Sequence, residues 1–440
     1  MSATAAPVTA IEARWVLPVE PDGVVLPDHT VLVSDGLIRD VLPTAAARAN
    51  APAAERVALP DHVVMPGLVN LHTHAAMTLL RGLADDLPLM EWLQAHIWPA
   101  EIGHASDQFV LDGTLIACAE MIRGGVTCFN DMYFFPEAAA SAALAAGMRA
   151  AIGIIVIDFP TPYASDPHDY LAKGLAARDA LKHERLLTFC MAPHAPYTVS
   201  DRSLAQVLTL AEQLEVPIHL HLHETTDEIA QEQSRHGVRP LQRLRALGML
   251  SPNLVAVHAI HLEASEIELI AAHGCHVAHC PSSNLKLASG FAPVARYLDA
   301  GVNVGLGTDG AASNNRLDLM EEMRLAALLA KAVSGRAEAL PAHTAVRMAT
   351  LAGATALGLE HRLGSLVPGK EADLTAVNLS TLAMSPCFDP VSHLVYCAGR
   401  QDVSDVWIAG RRVLQAGRLT TLNETELLAR ASRWQERLKE

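Results

Sequence analysis

Eight short runs rich in apolar and β-branched residues, most of them separated by stretches of helical periodicity, constrain this chain more than any other feature. They cover residues 63–74, 126–132, 151–158, 186–195, 217–224, 254–261, 276–283 and 302–309. Between them, 107–123, 201–215, 263–272 and 291–300 read as helices. Glycine punctuates the helix ends: Gly124 and Gly125 precede Val126, Gly274 precedes His276, and Gly301 precedes Val302. A chain leaving a helix commonly passes through the left-handed conformation, which glycine adopts without a Cβ clash. Strand and helix in eightfold alternation give an α/β fold whose parallel strands close into a (β/α)8 TIM barrel. An open doubly wound sheet is the alternative, but no Gly-x-Gly-x-x-Gly turn follows an early strand. Residues 317–333 and 342–357 read as amphipathic helices that complete the outer layer.

The two ends read differently. Val31-Leu32-Val33 and Leu37-Ile38-Arg39-Asp40-Val41 flank an Asp35-Gly36 turn, a hairpin signal that recurs around Ala409-Gly410. A glycine-bearing loop over 364–373 leads into another strand at 374–377. β segments at opposite ends of a chain can pair into one small domain. The expected division is 1–62 as the first part of a β-sandwich, 63–363 as the barrel, and 364–440 as the second part with a C-terminal helix. A chain of 440 residues accommodates a barrel of ~250 and such a flanking domain.

Composition narrows the class. Half the residues are hydrophobic and 18% charged, which excludes a disordered chain. Against 48 Asp and Glu stand 33 Lys and Arg, a net charge of −15 that disfavours nucleic acid or an anionic membrane as partner. The most apolar stretch, 138–157, is broken by Gly147 and Arg149 and reads as a helix and a buried strand rather than a membrane span. The start, MSATAAPVTA, has neither a basic segment nor a continuous apolar one. Seven cysteines without a Cys-x-x-Cys pair read as reduced thiols. A cytoplasmic location is expected.

The distinctive polar residues fall at the C-terminal ends of the expected strands, where a barrel gathers its active site. Strand one ends in His72-Thr73-His74. Strand five ends in His219-Leu220-His221-Leu222-His223-Glu224. Strand six carries His258, and strand eight ends in Thr308-Asp309-Gly310. Residues two apart on a strand share a face, so His72 and His74 both reach the lumen. Imidazole and carboxylate together suit zinc or another first-row divalent metal. A lone strand histidine is more often a hydrogen-bonded core residue. Four strand ends with compatible groups favour a metal, because otherwise each buried group would need its own partner, at ~1–3 kcal/mol when unsatisfied. Among His219, His221 and His223, spacing does not choose. His273 and His276 read as structural, and His279-Cys280 as packing.

Pro66-Gly67-Leu68-Val69-Asn70-Leu71-His72-Thr73-His74, His221-Leu222-His223-Glu224-Thr225, His258 and Gly307-Thr308-Asp309-Gly310 resemble the amidohydrolase superfamily. Within it they resemble most the 5-methylthioadenosine/S-adenosylhomocysteine deaminases. Ala192-Pro193-His194-Ala195-Pro196-Tyr197, Cys280-Pro281-Ser282-Ser283-Asn284 and Ala312-Ser313-Asn314-Asn315 support the likeness, which covers nearly the whole chain. It implies that His72, His74, His221 and Asp309 hold one divalent ion per chain, Zn2+, which lowers the pKa of a water to ~7. Two-metal members of the superfamily bridge their ions with a modified lysine on strand four; 186–195 contains none.

By the same resemblance Glu224 is the acid/base that protonates the purine ring, His258 takes a proton from the water, and Asp309 shuttles one to the departing amine. Glu101 accepts the ribose hydroxyls and His194 contacts substrate, with Glu224 and Asp309 also touching it. Trp92 reads either as an aromatic wall or as core. The expected partner is a small purine nucleoside, with homo-oligomers open by analogy, and no nucleic acid or membrane. The expected reaction is hydrolytic deamination of 5′-methylthioadenosine, S-adenosylhomocysteine or adenosine to the inosine derivative and ammonia. Alternatives are the same machinery on guanine, a pterin or a triazine, or a metal-binding barrel that serves only as a scaffold. The stretch Ile157-Asp158-Phe159-Pro160-Thr161-Pro162 replaces an arginine-containing stretch that some relatives set against the homocysteine carboxylate.

Overall fold

The computed structural model describes residues 7–439, so the reading of the N-terminal segment falls partly outside the described residues. Eight parallel strands follow one another around a barrel in chain order: Leu68–Thr73, Val126–Asp131, Arg149–Val156, Leu187–Pro193, Ile218–Leu222, Leu254–His258, His276–His279 and Asn303–Leu306. Each overlaps one expected run. The chain is a TIM barrel with a separate sheet built from both ends.

Where the elements differ from the sequence reading, the backbone gives the reason. Proline cannot donate to a ladder and sits well in the first turn of a helix. Residues 276–283 therefore split into a strand ending at His279 and a helix, Pro281–Lys286. Residues 342–357 split into Ala342–Ala349 and Leu351–Ala356 at Thr350, whose hydroxyl bonds back to the Val346 carbonyl at 2.7 Å. Residues 63–66 pair with the end sheet rather than the barrel, and the chain crosses over at Gly67.

Strands one and eight close the barrel through side chains and one backbone bond. The Asp309 N–H donates to the His72 carbonyl at 3.0 Å. The Asn70 amide donates to Thr308 Oγ1 at 2.8 Å and accepts from the Thr308 N–H at 3.0 Å. A Cβ on Gly307 would lie 2.8 Å from His72 Cβ, so this closure requires glycine. Val69 and Leu71 pack in one apolar cluster with Ala354 and Leu357. By strand alternation, Asn70 and His72 then face the other way, into the lumen.

The end sheet runs Arg418–Leu419, Arg411–Gln415, Val403–Ile408, Leu374–Asn378, Glu55–Pro66, Thr9–Val16, Leu26–Ser34 and Leu37–Pro43. Its seam is the antiparallel pairing of Leu374 with Pro66 through Asn378 with His62, which joins the two chain ends. The side chain of Arg149, at the start of the third barrel strand, is buried. It donates to Glu371 at 2.6 Å and to both oxygens of Asp373 at 3.0 and 3.1 Å. That cluster ties barrel to sheet. Residues 138–157 form the helix Pro136–Ala146 and the buried strand Arg149–Val156. Among the described residues, no helix is long and apolar enough to cross a membrane.

Candidate active site

Four side chains converge at the barrel's C-terminal mouth. His72 lies on the first strand and His74 one residue past it; His221 is on the fifth strand, and Asp309 follows the eighth. One ligand atom from each lies within 4.8 Å of the others. His72 Nε2 and His74 Nε2 are 3.1 and 3.2 Å from Asp309 Oδ1, and His221 Nε2 is 3.2 Å from His72 Nε2. Donors ~2.0 Å from a tetrahedral zinc sit about 3.3 Å apart.

The outer ring nitrogens decide what the inner ones carry. His74 Nδ1 faces the Met132 carbonyl at 2.6 Å and His221 Nδ1 the His194 carbonyl at 2.8 Å. A carbonyl only accepts, so both Nδ1 atoms carry a proton, which leaves the Nε2 atoms as the ones facing the cluster. His72 Nδ1 is occupied by His219 Nε2 at 2.9 Å. Nitrogens and a carboxylate aimed at one buried point need positive charge between them, which either protons on the rings or a bound cation would supply. The donor set fits a divalent metal.

Asp309 is held on its other oxygen. Ser283 and Ser313 donate to Oδ2 at 2.7 and 2.6 Å, which leaves Oδ1 toward the histidines. Burial raises its pKa, but the His72 and His74 contacts outweigh burial and hold the carboxyl well below its usual range. Asp309 and His258 both adopt positive φ, +61° and +67°. Such backbone costs ~1–3 kcal/mol per non-glycine residue and gathers at functional sites.

A cavity of about 370 Å³ opens over the cluster. His74, His194, His221, Glu224, His258, Glu101 and Asp309 all line it, while His72 lies behind them. Glu224 follows the fifth strand and brings Oε2 to 3.9 Å from His258 Nε2; burial pushes its carboxyl pKa up. His258 Nδ1 faces Asn284 Oδ1 at 2.8 Å, so Nδ1 carries the proton and Nε2 is free to accept one. Glu101 projects from the helix Trp98–His104, buried, with its carboxyl pushed up to about 7 by burial. Burial drives His194 down to about 3, and its Nδ1 faces Thr198 Oγ1 at 3.0 Å. Trp92 is both core and wall, 5% exposed yet lining the cavity.

Residues 63–413 match the amidohydrolase family. The chain belongs to the amidohydrolase family. This amidohydrolase is 48% identical to the 5-methylthioadenosine/S-adenosylhomocysteine deaminase of Teredinibacter turnerae, over 98% of the chain and 97% of the relative. It superposes on a zinc-bound adenosine deaminase from Xanthomonas campestris with a TM-score of 0.97. That protein is 50% identical, and the match covers 99% of this chain and 100% of the other. The zinc complex of an atrazine chlorohydrolase from Arthrobacter aurescens shares the fold, at a TM-score of 0.89. It is 23% identical, over 97% and 99% of the two chains.

Some polar partners of this amidohydrolase's site had no signal of their own in the sequence. Ser283, Ser313 and Asn284 stand in stretches that the resemblance marked without assigning a role. His219 backs His72, whereas the His223 ring accepts from the Leu241 N–H at 3.1 Å, away from the cluster. His276 faces the Pro252 carbonyl at 2.9 Å and His273 the Leu269 carbonyl at 2.9 Å. Both are structural.

Proposed function

We propose that this amidohydrolase is a zinc-dependent purine-nucleoside deaminase whose preferred substrate is 5′-methylthioadenosine. One ion per chain would be held by His72, His74, His221 and Asp309. When bound, it supplies a water whose pKa falls to ~7. His258 accepts a proton from the attacking water through Nε2. Glu224, whose carboxyl pKa burial pushes up, gives its proton to the ring nitrogen beside the attacked carbon, which makes that carbon more electrophilic. Asp309 passes a proton to the departing amine. Water adds, ammonia leaves, and the ring retains a carbonyl. Glu101 accepts from both ribose hydroxyls, which a carboxylate's two oxygens suit, and His194 contacts substrate nearby.

The preference rests on one observation: three carboxyls line the cavity, Glu101, Glu224 and Asp309, and among the described residues no lysine or arginine does. Its mouth is walled by Trp98, Ile102, Phe159, Pro160 and Pro162. Trp98 and Phe159 meet edge to face with ring centroids 6.1 Å apart. Arg235, on the helix Thr226–His236, donates to the Tyr197 carbonyl at 3.4 Å from an exposed position. A methylthio group gains ~0.8 kcal/mol per buried methylene-sized unit against such a wall. The homocysteine carboxylate of S-adenosylhomocysteine would meet that wall with no cation to pair it.

The test is kcat/KM for both nucleosides on zinc-loaded protein. A preference for methylthioadenosine of about a hundredfold or more, or ~2.7 kcal/mol, is expected. Equal values would contradict the preference. Turnover of free guanine or a triazine with neither nucleoside accepted would overturn the nucleoside reading.

A further inference from the structure

The fifth strand, Ile218–Leu222, is followed by two residues before the cap of the next helix, and the turn is strained. His223 has φ +54°, a left-handed conformation that a side chain disfavours. Thr225 then caps the helix Thr226–His236, its hydroxyl accepting from the Glu228 N–H at 3.2 Å. A glutamate three residues after a threonine cap ordinarily reaches back to the cap's own N–H, in a capping box. Glu228 does not. Its Oε1 accepts from the His223 N–H at 3.1 Å and its Oε2 from the Glu224 N–H at 2.8 Å.

The carboxylate thus spans the two residues upstream of the cap, one of them strained and the other Glu224. Glu228 is 4% exposed, and among the described residues it makes no ion pair. One turn further along the helix, Glu232 is fully buried and paired with Arg243 at 3.0 Å. Burial without a cation pushes the Glu228 carboxyl pKa up to about 8, against the pull of the Glu224 and His223 N–H groups, so its place there is costly. Helix capping alone does not account for it, because Thr225 already performs that task. Both acceptor oxygens are spent on the backbone that aims Glu224 into the cavity.

We infer that Glu228 is the positioning residue of Glu224: by accepting both N–H groups it holds the strained turn in the one conformation that presents the Glu224 carboxyl to the substrate ring. The inference rests on the acid/base reading of Glu224 above. Glutamine at 228 has the same size but one acceptor, so one of the two N–H groups would face an amide NH2. The turn then relaxes and Glu224 moves, and a misplacement of ~1 Å in such a group costs about a hundredfold in rate.

The experiment is a double-mutant cycle on zinc-loaded full-length protein with methylthioadenosine. Glu228→Gln is expected to lower kcat about ten- to a hundredfold, with KM within about threefold and zinc content unchanged. In a Glu224→Gln background the same change should alter the residual kcat by less than about twofold, since the two residues act as one unit. Thr225→Ala removes the helix cap alone; it should lower the melting temperature and leave kcat within about twofold.

Two independent, multiplying losses from Glu224→Gln and Glu228→Gln would overturn the inference. So would a Glu228→Gln protein that melts earlier at undiminished kcat. If Glu228→Gln does not accumulate folded, Glu228→Asp, which keeps the charge and shortens the reach, is read by the same criteria. A Glu224→Gln protein with normal turnover would instead overturn the acid/base reading, and the positioning role with it.

Discussion

At the residue scale the site is built from groups whose outer atoms are committed so that their inner atoms are free. His74 and His221 spend Nδ1 on carbonyls, and Asp309 spends Oδ2 on Ser283 and Ser313. Asn284 fixes the His258 ring in the same way. His72 and His74 were legible from a period of two at a strand end, and His258 and Asp309 from their strand-end places, whereas the choice of His221 among three histidines and the role of Glu224 came from the family resemblance. The two serines, Asn284 and Glu228 were not legible. They lie on loops and helix starts, where no periodicity marks a side chain, and serine at such places more often serves the backbone. On the role proposed for Glu224, glutamine there would remove the proton given to the ring. It should lower kcat about 10²- to 10⁴-fold with full zinc content, measured by steady-state kinetics alongside metal analysis. Glu101 makes the matching prediction for binding. Its carboxyl, raised by burial to about 7, would in the proposed role accept from both ribose hydroxyls only when ionised. Affinity for the ribosylated product should therefore rise with pH through a midpoint at or below about 7 and level off above it, the charge of a bound metal lowering that midpoint. In Glu101→Gln, titration calorimetry should find this rise gone.

At the element scale, the strand runs followed from apolar periodicity, and helix ends such as Gly274 and Gly301, at φ +67° and +77°, followed from glycine chemistry. Breaks decided by one side chain were not legible, as at Thr350 and at the Pro281 switch from strand to helix. Nor was the crossing at Gly67, because residues 63–74 form one apolar run whose halves belong to different sheets. Arg149 shows how the two sheets are fastened. In the sequence it interrupts an apolar stretch; in the fold it is 1% exposed and bonded to Glu371 and Asp373. Methionine at this position would leave the buried Asp373 without a cation, while Glu371 keeps Arg362 at 2.9 Å. A destabilisation of ~3–5 kcal/mol is expected, read from denaturant unfolding.

At the scale of the whole molecule, the barrel brings together residues from 72 to 309 at one mouth, and the end sheet pairs residues 9–66 with residues 374–419. Groups this far apart in sequence become neighbours only when the barrel closes, so a metal bound there would hold together what the fold assembles. Removing it should lower the melting temperature as well as abolish turnover, and restoring zinc should recover both, because a ligand of the folded state stabilises that state. The most direct measurement is ultraviolet-monitored turnover of 5′-methylthioadenosine by zinc-loaded protein, with a chelated control and adenine as the ribose-free comparison. Rapid turnover that vanishes on chelation and returns with zinc, with adenine inert, is the expected result. Absence of methylthioadenosine turnover in protein shown to carry its metal would contradict the assignment.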